Sequence, residues 1–362
     1  MIYNSIRRFA RPVRVGGLVI GGQAPLAIQS MTNTDTLDLQ STLAQVRALE
    51  STGCDVVRLT VPTPEAAKTI AALKEKGVGV PLVADIHFDY RIALEAAACG
   101  VDKIRINPGN IGDEAHVREV ASVCRQKNIP IRIGVNGGSL EKEILAKYGA
   151  PTGEALAESA LYHASLLEKF DFEDIVISIK SSDVSTMISA NRILAQRCSY
   201  PLHLGVTEAG GEEMGSIKSA IGIGALLADG IGDTLRVSLT ADPVAEIAAA
   251  KRILSALKIE GQSGLDIVSC PTCGRTRIDL IELSARFELA AREAGLMDLP
   301  VRVALMGCVV NGPCEAREAD IGICGGDGEA LLIKKGKVIA KIPEGDVVKT
   351  LIEELKKLKE TL

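Results

Sequence analysis

Eight short apolar runs recur between residues 26 and 239, each followed by a stretch of helical period. The runs are L-A-I-Q-S-M-T (26–32), V-V-R-L-T-V (56–61), L-V-A-D-I (82–86), K-I-R-I-N-P (103–108), P-I-R-I-G-V (130–135), I-V-I-S-I-K (175–180), L-H-L-G-V-T (202–207) and T-L-R-V-S-L (234–239). Short and largely apolar, they suit strands buried on both faces. The segments between them, such as 64–76, 114–127, 154–169, 183–197 and 243–257, are rich in Ala, Leu, Glu and Lys at helical spacing. Thr63-Pro64 and Asp242-Pro243 supply a capping oxygen followed by a proline suited to the first helical turn. Eight strand–helix units is the closure number of a (β/α)8 TIM-type barrel. An open doubly wound sheet would carry a G-x-G-x-x-G turn after its first strand, and none is present. The expected architecture is α/β: a barrel over 1–260, opening with a hairpin at 13–22 around Gly16-Gly17.

The rhythm stops in K-I-E-G-Q-S-G-L-D-I-V (258–268), which reads as a linker. A smaller α+β domain is expected over 265–362. Its strands fall near 301–305 and 319–324, its helix near 278–294 and its hairpin at 331–341. The Lys-rich closing helix reads as a solvated face.

Charge and composition narrow the function classes. A net charge of −5 gives no general attraction for nucleic acid or acidic membranes. No apolar run approaches the roughly 20 residues of a membrane span, and the basic start lacks the apolar core of a signal peptide. A cytoplasmic protein with no nucleic-acid or membrane partner is expected. Nine cysteines, an odd number in a chain too large to need disulfide staples, point to reduced thiols. Cys54, Cys99, Cys124 and Cys198 lie far apart in apolar patterns and read as small buried hydrophobes. Cys270, Cys273, Cys308, Cys314 and Cys324 crowd together and need another explanation.

A barrel builds its site at the C-terminal ends of its strands. Those ends carry Met31 to Asp35, Arg58, Asp85 and His87, Arg105 and Asn107, Arg132 and Asn136, Lys180 and Ser182, Thr207 and Glu208, and Arg236 and Ser238. Residues two apart on a strand share a face. If that face is inward, Arg58, Arg105, Arg132, Lys180 and Arg236 converge on one mouth. Such a cluster needs an anionic ligand, and the planar fork of arginine suits phosphate oxygens. The Gly-rich V-N-G-G-S-L (135–140) and A-G-G-E-E-M-G-S (209–216) could add backbone donors. Asp85, His87 and Glu208 are the titratable candidates for proton transfer. There is no G-x-x-x-x-G-K-[ST] to support an ATPase. Nor does a C-x-x-x-C-x-x-C, usual in radical-generating barrels, follow the first strand.

In the smaller domain, S-C-P-T-C-G-R-T (269–276) and M-G-C-V-V-N-G-P-C-E-A (306–316) hold the clustered thiols. A structural zinc site would want a second tight pair, but Cys308 and Cys314 are six apart. A redox dithiol would need only Cys270 and Cys273. An iron–sulfur cluster held by Cys270, Cys273 and Cys308 fits better, with Gly274, Gly307 and Gly312 letting backbone N–H groups approach the sulfides. The residues leave the fourth ligand open. Cys314 would complete an all-thiolate site, whereas Glu315 would supply a hard oxygen donor on a more exchangeable iron.

With these residues in hand, the chain resembles the bacterial (E)-4-hydroxy-3-methylbut-2-enyl diphosphate synthases of non-mevalonate isoprenoid biosynthesis. The resemblance spans essentially the whole chain. It rests on Q-S-M-T-N-T-D-T (29–36), R-I-N-P-G-N-I-G (105–112), R-I-G-V-N-G-G-S-L (132–140), S-C-P-T-C-G-R-T and G-C-V-V-N-G-P-C-E-A-R-E-A-D-I-G (307–322). It implies a barrel that binds 2-C-methyl-D-erythritol 2,4-cyclodiphosphate and a reductase-like domain carrying a [4Fe–4S] cluster on Cys270, Cys273, Cys308 and Glu315. It also implies a head-to-tail homodimer, reductive ring opening fed by ferredoxin or flavodoxin, and Glu208 as proton donor. The family usually reads N-G-P-G-E where this chain has Cys314 before Glu315. The competing reading is a pterin-binding-type barrel transferase with a structural zinc domain.

Overall fold

The computed structural model describes residues 6–259, 264–310 and 312–361. The chain forms two compact units, Met1–Glu260 and Gly261–Leu362.

The first unit opens with the expected hairpin, β1 (Val13–Val15) paired antiparallel to β2 (Leu18–Ile20). Gly16 turns it at φ 57°, where an added Cβ would meet the Asp102 carboxylate at 2.9 Å. Eight parallel strands follow: β3 (Ala27–Met31), β4 (Val56–Thr60), β5 (Leu82–Asp85), β6 (Lys103–Ile106), β7 (Ile131–Asn136), β8 (Ile175–Lys180), β9 (His203–Leu204) and β10 (Thr234–Leu235). Their order is β8-β7-β6-β5-β4-β3-β10-β9. A parallel bridge between Ile177 and Leu202 joins the two ends, so the sheet is a nearly closed barrel. Each apolar run of the sequence became a strand. β9 and β10 pair over only two residues, and β9 stops at Gly205, where an added Cβ would meet the Arg236 carbonyl oxygen at 2.7 Å.

Helices α1 (Leu39–Ser51), α2 (Pro64–Glu75), α3 (Tyr90–Ala98), α4 (Glu114–Gln126), α5 (Lys142–Tyr148), α6 (Gly153–Glu168), α7 (Val184–Arg197), α8 (Glu212–Ala228) and α9 (Pro243–Ala256) connect the strands. Side chains of Asp38, Thr63, Asp89, Asp113, Thr152, Asp183 and Asp242 accept the first free N–H groups of their helices. The apolar core lies between strands and helices. Ile28, Val57, Leu59, Ala84, Ile104, Ile106, Ile133 and Ile177 belong to it. Alternation sends their neighbours inward, and those are Gln29, Arg58, Asp85, Lys103, Arg105, Arg132, Lys180 and His203. Branched apolar layers usually fill such a barrel; here Val56, Val83 and Val176 share the interior with many polar and charged side chains. Among the described residues no helix is long and apolar enough to cross a membrane.

The second unit is a five-stranded sheet, β11 (Asp266–Ser269), β12 (Arg302–Met306), β13 (Ile321–Gly325), β14 (Glu329–Lys334) and β15 (Lys337–Pro343), in that order. The first three strands are parallel and the last two antiparallel. Leu283 and Phe287 of α10 (Leu280–Glu293) and Leu351 and Leu355 of a closing helix (Val347–Lys359) pack with Val303, Leu305, Ile321 and Ile323. Lys356, Lys357 and Lys359 are exposed, as expected of a solvated face. β11 falls inside the stretch read as linker. Its four residues are too few to show a period, and glycine and serine precede them. Residues 260–263 of that stretch lie outside the described residues.

Candidate active site

Asp85 ends β5 almost fully buried, 2% exposed, and gathers two arginines and a histidine. Its Oδ2 lies 3.4 Å from Arg58 Nη2 and its Oδ1 3.1 Å from Arg105 Nη1, with His87 Nε2 at 4.0 Å. Arg105 Nη1 also lies 3.2 Å from His87 Nε2, and Arg105 Nη2 donates to the Gly134 carbonyl at 3.2 Å. Gly134 has no Cβ because Arg105 occupies its place: an added Cβ would stand 2.4 Å from Arg105 Nε. Burial pushes the Asp85 carboxyl up, but Arg58 and Arg105, then His87 and Arg132, outweigh it and hold it below the ordinary carboxylate value. Burial draws Arg58 down to about 10, against the pull of Asp85.

The other side of the mouth is organised by a residue that the strand-end reading missed. Arg236 makes two parallel bonds to Glu246, Nη2 to Oε1 at 2.9 Å and Nε to Oε2 at 3.0 Å. Ser30 Oγ donates to Glu246 Oε2 at 2.7 Å and the Leu239 N–H to Oε1 at 3.2 Å. Glu246 sits on α9, 2% exposed, on the face that also buries Ile247 and Ala250. Its signal was a carboxylate on the apolar side of a helical pattern. Met31 Sδ lies between the two sides, accepting from Arg58 Nε at 3.0 Å and Arg236 Nη1 at 3.4 Å. A Glu246→Gln variant leaves the Arg236 charge without its carboxylate. Loss of about 2–4 kcal/mol of folding stability is expected, to be read by chemical denaturation.

Lys180, at the end of β8, is 9% exposed, with its Nζ over Gly205. Burial lowers its amine well below the ordinary lysine value, and Arg236, Arg58 and Arg132 add to the effect. Arg132 is 1% exposed and donates to Gln29 Oε1 at 3.3 Å. Asn107, 4% exposed, has both amide atoms buried without a hydrogen-bond partner. It lines a cavity of about 490 Å³ with His87, Phe88, Arg105, Gly134 and Asn136. Unsatisfied amide atoms facing a cavity are suited to a polar ligand. Ser182, beyond the end of β8, is exposed, and Ser238 is half-buried. Glu208 is exposed in the loop after β9 and held at φ 52°, a left-handed conformation rare for glutamate.

The cysteines of the second unit collect at one sheet edge. β11 and β12 are parallel with Ser269 opposite Leu305, so Cys270 and Cys308 leave the same ends of neighbouring strands. The two loops are tied by the Arg277 N–H to the Gly307 carbonyl at 2.9 Å. Thr272, between Cys270 and Cys273, takes φ 62°, and the Cys273 N–H donates to Thr276 Oγ1 at 3.0 Å. Cys273 is exposed, Cys270 and Cys308 half-buried. Glu315 closes the short helix Gly312–Glu315 that follows Cys308. Cys314 is exposed on that helix, and its φ is not positive, so the backbone there accepts a side chain. Cys324 lies buried beneath, where an added Cβ on Gly312 would meet its Sγ at 2.6 Å. Burial pushes its thiol up to about 12, with Cys308 and Glu315 contributing.

Among the described residues no three His, Cys, Asp or Glu side chains draw close enough to hold a single metal ion. Ligands to a four-iron cube stand farther apart than ligands to one ion, because each binds a different corner. Three thiols and a carboxylate in the loops at one end of the sheet therefore have the donor chemistry a cluster takes.

Comparison with known proteins agrees across both units. The GcpE TIM-barrel domain matches residues 10–251, and the GcpE protein C-terminal domain matches residues 266–357. The 4-hydroxy-3-methylbut-2-en-1-yl diphosphate synthase (flavodoxin) of Clostridium perfringens is 56% identical over 356 residues, covering 98% of this chain and 99% of its own. That of Ruminiclostridium cellulolyticum is 53% identical over 352 residues, covering 97% and 98%. A solved type I 3-dehydroquinate dehydratase from Clostridium difficile covers 68% of this chain and 98% of its own, with a TM-score of 0.52. At 13% identity it speaks to the barrel fold alone. With both units matched and more than half of its residues shared with these synthases, the chain belongs to the GcpE family.

Proposed function

We propose that this chain is an oxidoreductase of isoprenoid biosynthesis. It would open the ring of 2-C-methyl-D-erythritol 2,4-cyclodiphosphate to give (E)-4-hydroxy-3-methylbut-2-enyl diphosphate. Two electrons and two protons enter and one water leaves. The observation that carries the reading is the charge balance inside the barrel. Arg58, Lys103, Arg105, Arg132, Lys180 and Arg236 face the interior, and among the described residues the carboxylates paired with them are Asp85 and Glu246. A cyclic diphosphate supplies the missing negative charge. The names of the full-length relatives support this activity and flavodoxin as the electron donor; ferredoxin is the alternative that the resemblance alone implies. They give no support to a pterin-type transferase with structural zinc.

In this reading Arg58, Arg105, Arg132, Lys180 and Arg236 hold the diphosphate. Asn107, Asn136, Ser182 and Ser238 orient the substrate. Asp85, ionised and shared among cations, positions Arg58 and Arg105 and is poorly suited to give a proton. Glu208, exposed in a strained loop, is the proton donor to the departing hydroxyl, with His87 beside the cavity as the second candidate. Cys270, Cys273, Cys308 and Glu315 would hold a [4Fe–4S] cluster, which when bound supplies one-electron steps and an iron with an exchangeable ligand. The resemblance alone supports a head-to-tail homodimer.

The test is metal and activity analysis of protein purified without air. About four irons and equal sulfide per chain are expected, with turnover of the cyclic diphosphate on addition of reduced flavodoxin. A colourless, zinc-loaded, inert protein would end the proposal.

Substrate binding should also depend on pH in a defined direction. The free protein's Lys180 loses its proton below the ordinary lysine value, and bound diphosphate favours the ammonium form. Binding therefore takes up a proton and weakens as pH rises through the lowered value. Calorimetric titration in buffers of different ionisation enthalpy should show net proton uptake on binding, lost in Lys180→Met. Uptake unchanged in Lys180→Met would assign the proton elsewhere.

A further inference from the structure

Below the mouth the barrel holds a second polar tier. Lys103 precedes Arg105 by two residues and Gln29 precedes Met31 by two, so each sits one inward layer deeper, about 6–7 Å from the strand ends. His203 opens β9 in register with Thr234, itself paired with Ala27. Arg132 reaches this tier through its bond to Gln29. Lys103 and His203 are fully buried, and Gln29 and Arg132 are 1% exposed.

Four buried polar atoms here have no hydrogen-bond partner: Lys103 Nζ, Arg132 Nε, Gln29 Nε2 and His203 Nε2. The first three are donors, and the imidazole nitrogen can be one. His203 Nδ1 lies 3.5 Å from Thr234 Oγ1. Among the described residues no carboxylate is paired with Lys103, and Arg132 and Arg58 act on it as like charges. Asp85 and Glu246 are committed to Arg58, Arg105 and Arg236 in the upper layer. A buried cation without a counter-charge is costly, and so is a buried donor without an acceptor. Burial, with Arg132 and Arg58, lowers the Lys103 amine well below the ordinary lysine value, so water alone would leave it to shed its proton, whereas an anion would hold it as ammonium.

We propose that the barrel floor binds a small monovalent anion, halide-sized, held by Lys103, Arg132 and Gln29 with His203 beside it. The anion answers both deficits at once, since it accepts from buried N–H groups left without an acceptor and neutralises one of the two cations. It lies one layer below the diphosphate, and Arg132, bonded to Gln29, stands between the two anions and serves both. The site does not depend on the identity of the reaction.

Crystals of the full chain soaked in sodium bromide test this directly, through an anomalous map at the bromine edge. A peak enclosed by Lys103, Arg132 and Gln29 is the expected result. Waters in its place, a Lys103 amine accepting directly from Arg132 Nε, or bromide only at the mouth, each overturns the proposal. In solution, chloride substituted for gluconate at constant ionic strength should raise the melting temperature of the wild type by about 2–4 °C. The gain should vanish in Lys103→Met. Should that variant fail to fold, the bromide map on the wild type decides alone.

Discussion

A Cys308→Ala variant purified without air should lose its iron and its turnover together. The side chain leaves the end of β12 in a loop tied to the Cys270–Thr276 loop by the Arg277–Gly307 bond. If it binds one corner of a cluster, removing it opens the metal centre itself. The loss should exceed the roughly 10–100-fold that changes one shell further out cause. Iron per chain, the visible spectrum and turnover with reduced flavodoxin are the measurements. Circular dichroism should be unchanged, because Leu305 and Ile323 below the loop stay packed. Turnover that survives would move the electron path away from this edge. Cys314→Ala is the matched control, expected to keep iron and activity if Glu315 is the fourth ligand.

Arg105→Ala should cost about 2–5 kcal/mol of transition-state stabilisation, or roughly 30-fold to several thousand-fold in kcat/KM. Arg105 touches Asp85, His87 and the Gly134 carbonyl, and lines the cavity with Asn107. If Arg105 holds phosphate as proposed, its removal strips that contact and leaves Asp85 with Arg58 as its one remaining arginine among the described residues. Binding of the cyclic diphosphate, followed by calorimetry on cluster-loaded protein, should weaken while iron content holds. If affinity holds and only the melting temperature falls, Arg105 is a structural ion pair and the diphosphate lies elsewhere.

The barrel was legible because strands buried on both faces appear as apolar runs, and eight of them leave few alternatives. The mouth cations were legible through two-residue alternation from known strand ends. The same alternation marks Lys103 and His203, but they lie near the strand starts, where a search confined to the mouth does not look. Glu246 was hidden for another reason: it belongs to a helix, and its meaning is the fork it makes with Arg236 across the β10–α9 connection. β11 escaped because four residues beside a Gly/Ser segment carry no period. The cysteine edge was legible in spacing alone, whereas the burial of Cys324 beneath Gly312 emerges only when β13 is laid beside β12.

Most barrel strands carry hydrocarbon on one side and at least one charged side chain on the other. A strand that slid by a single position during folding would thrust lysine or arginine among isoleucines and turn isoleucines toward the lumen. Each wrong alignment is thus penalised twice. The ionic lining acts as a proofreader of its own assembly, rejecting off-by-one pairings before any ligand arrives.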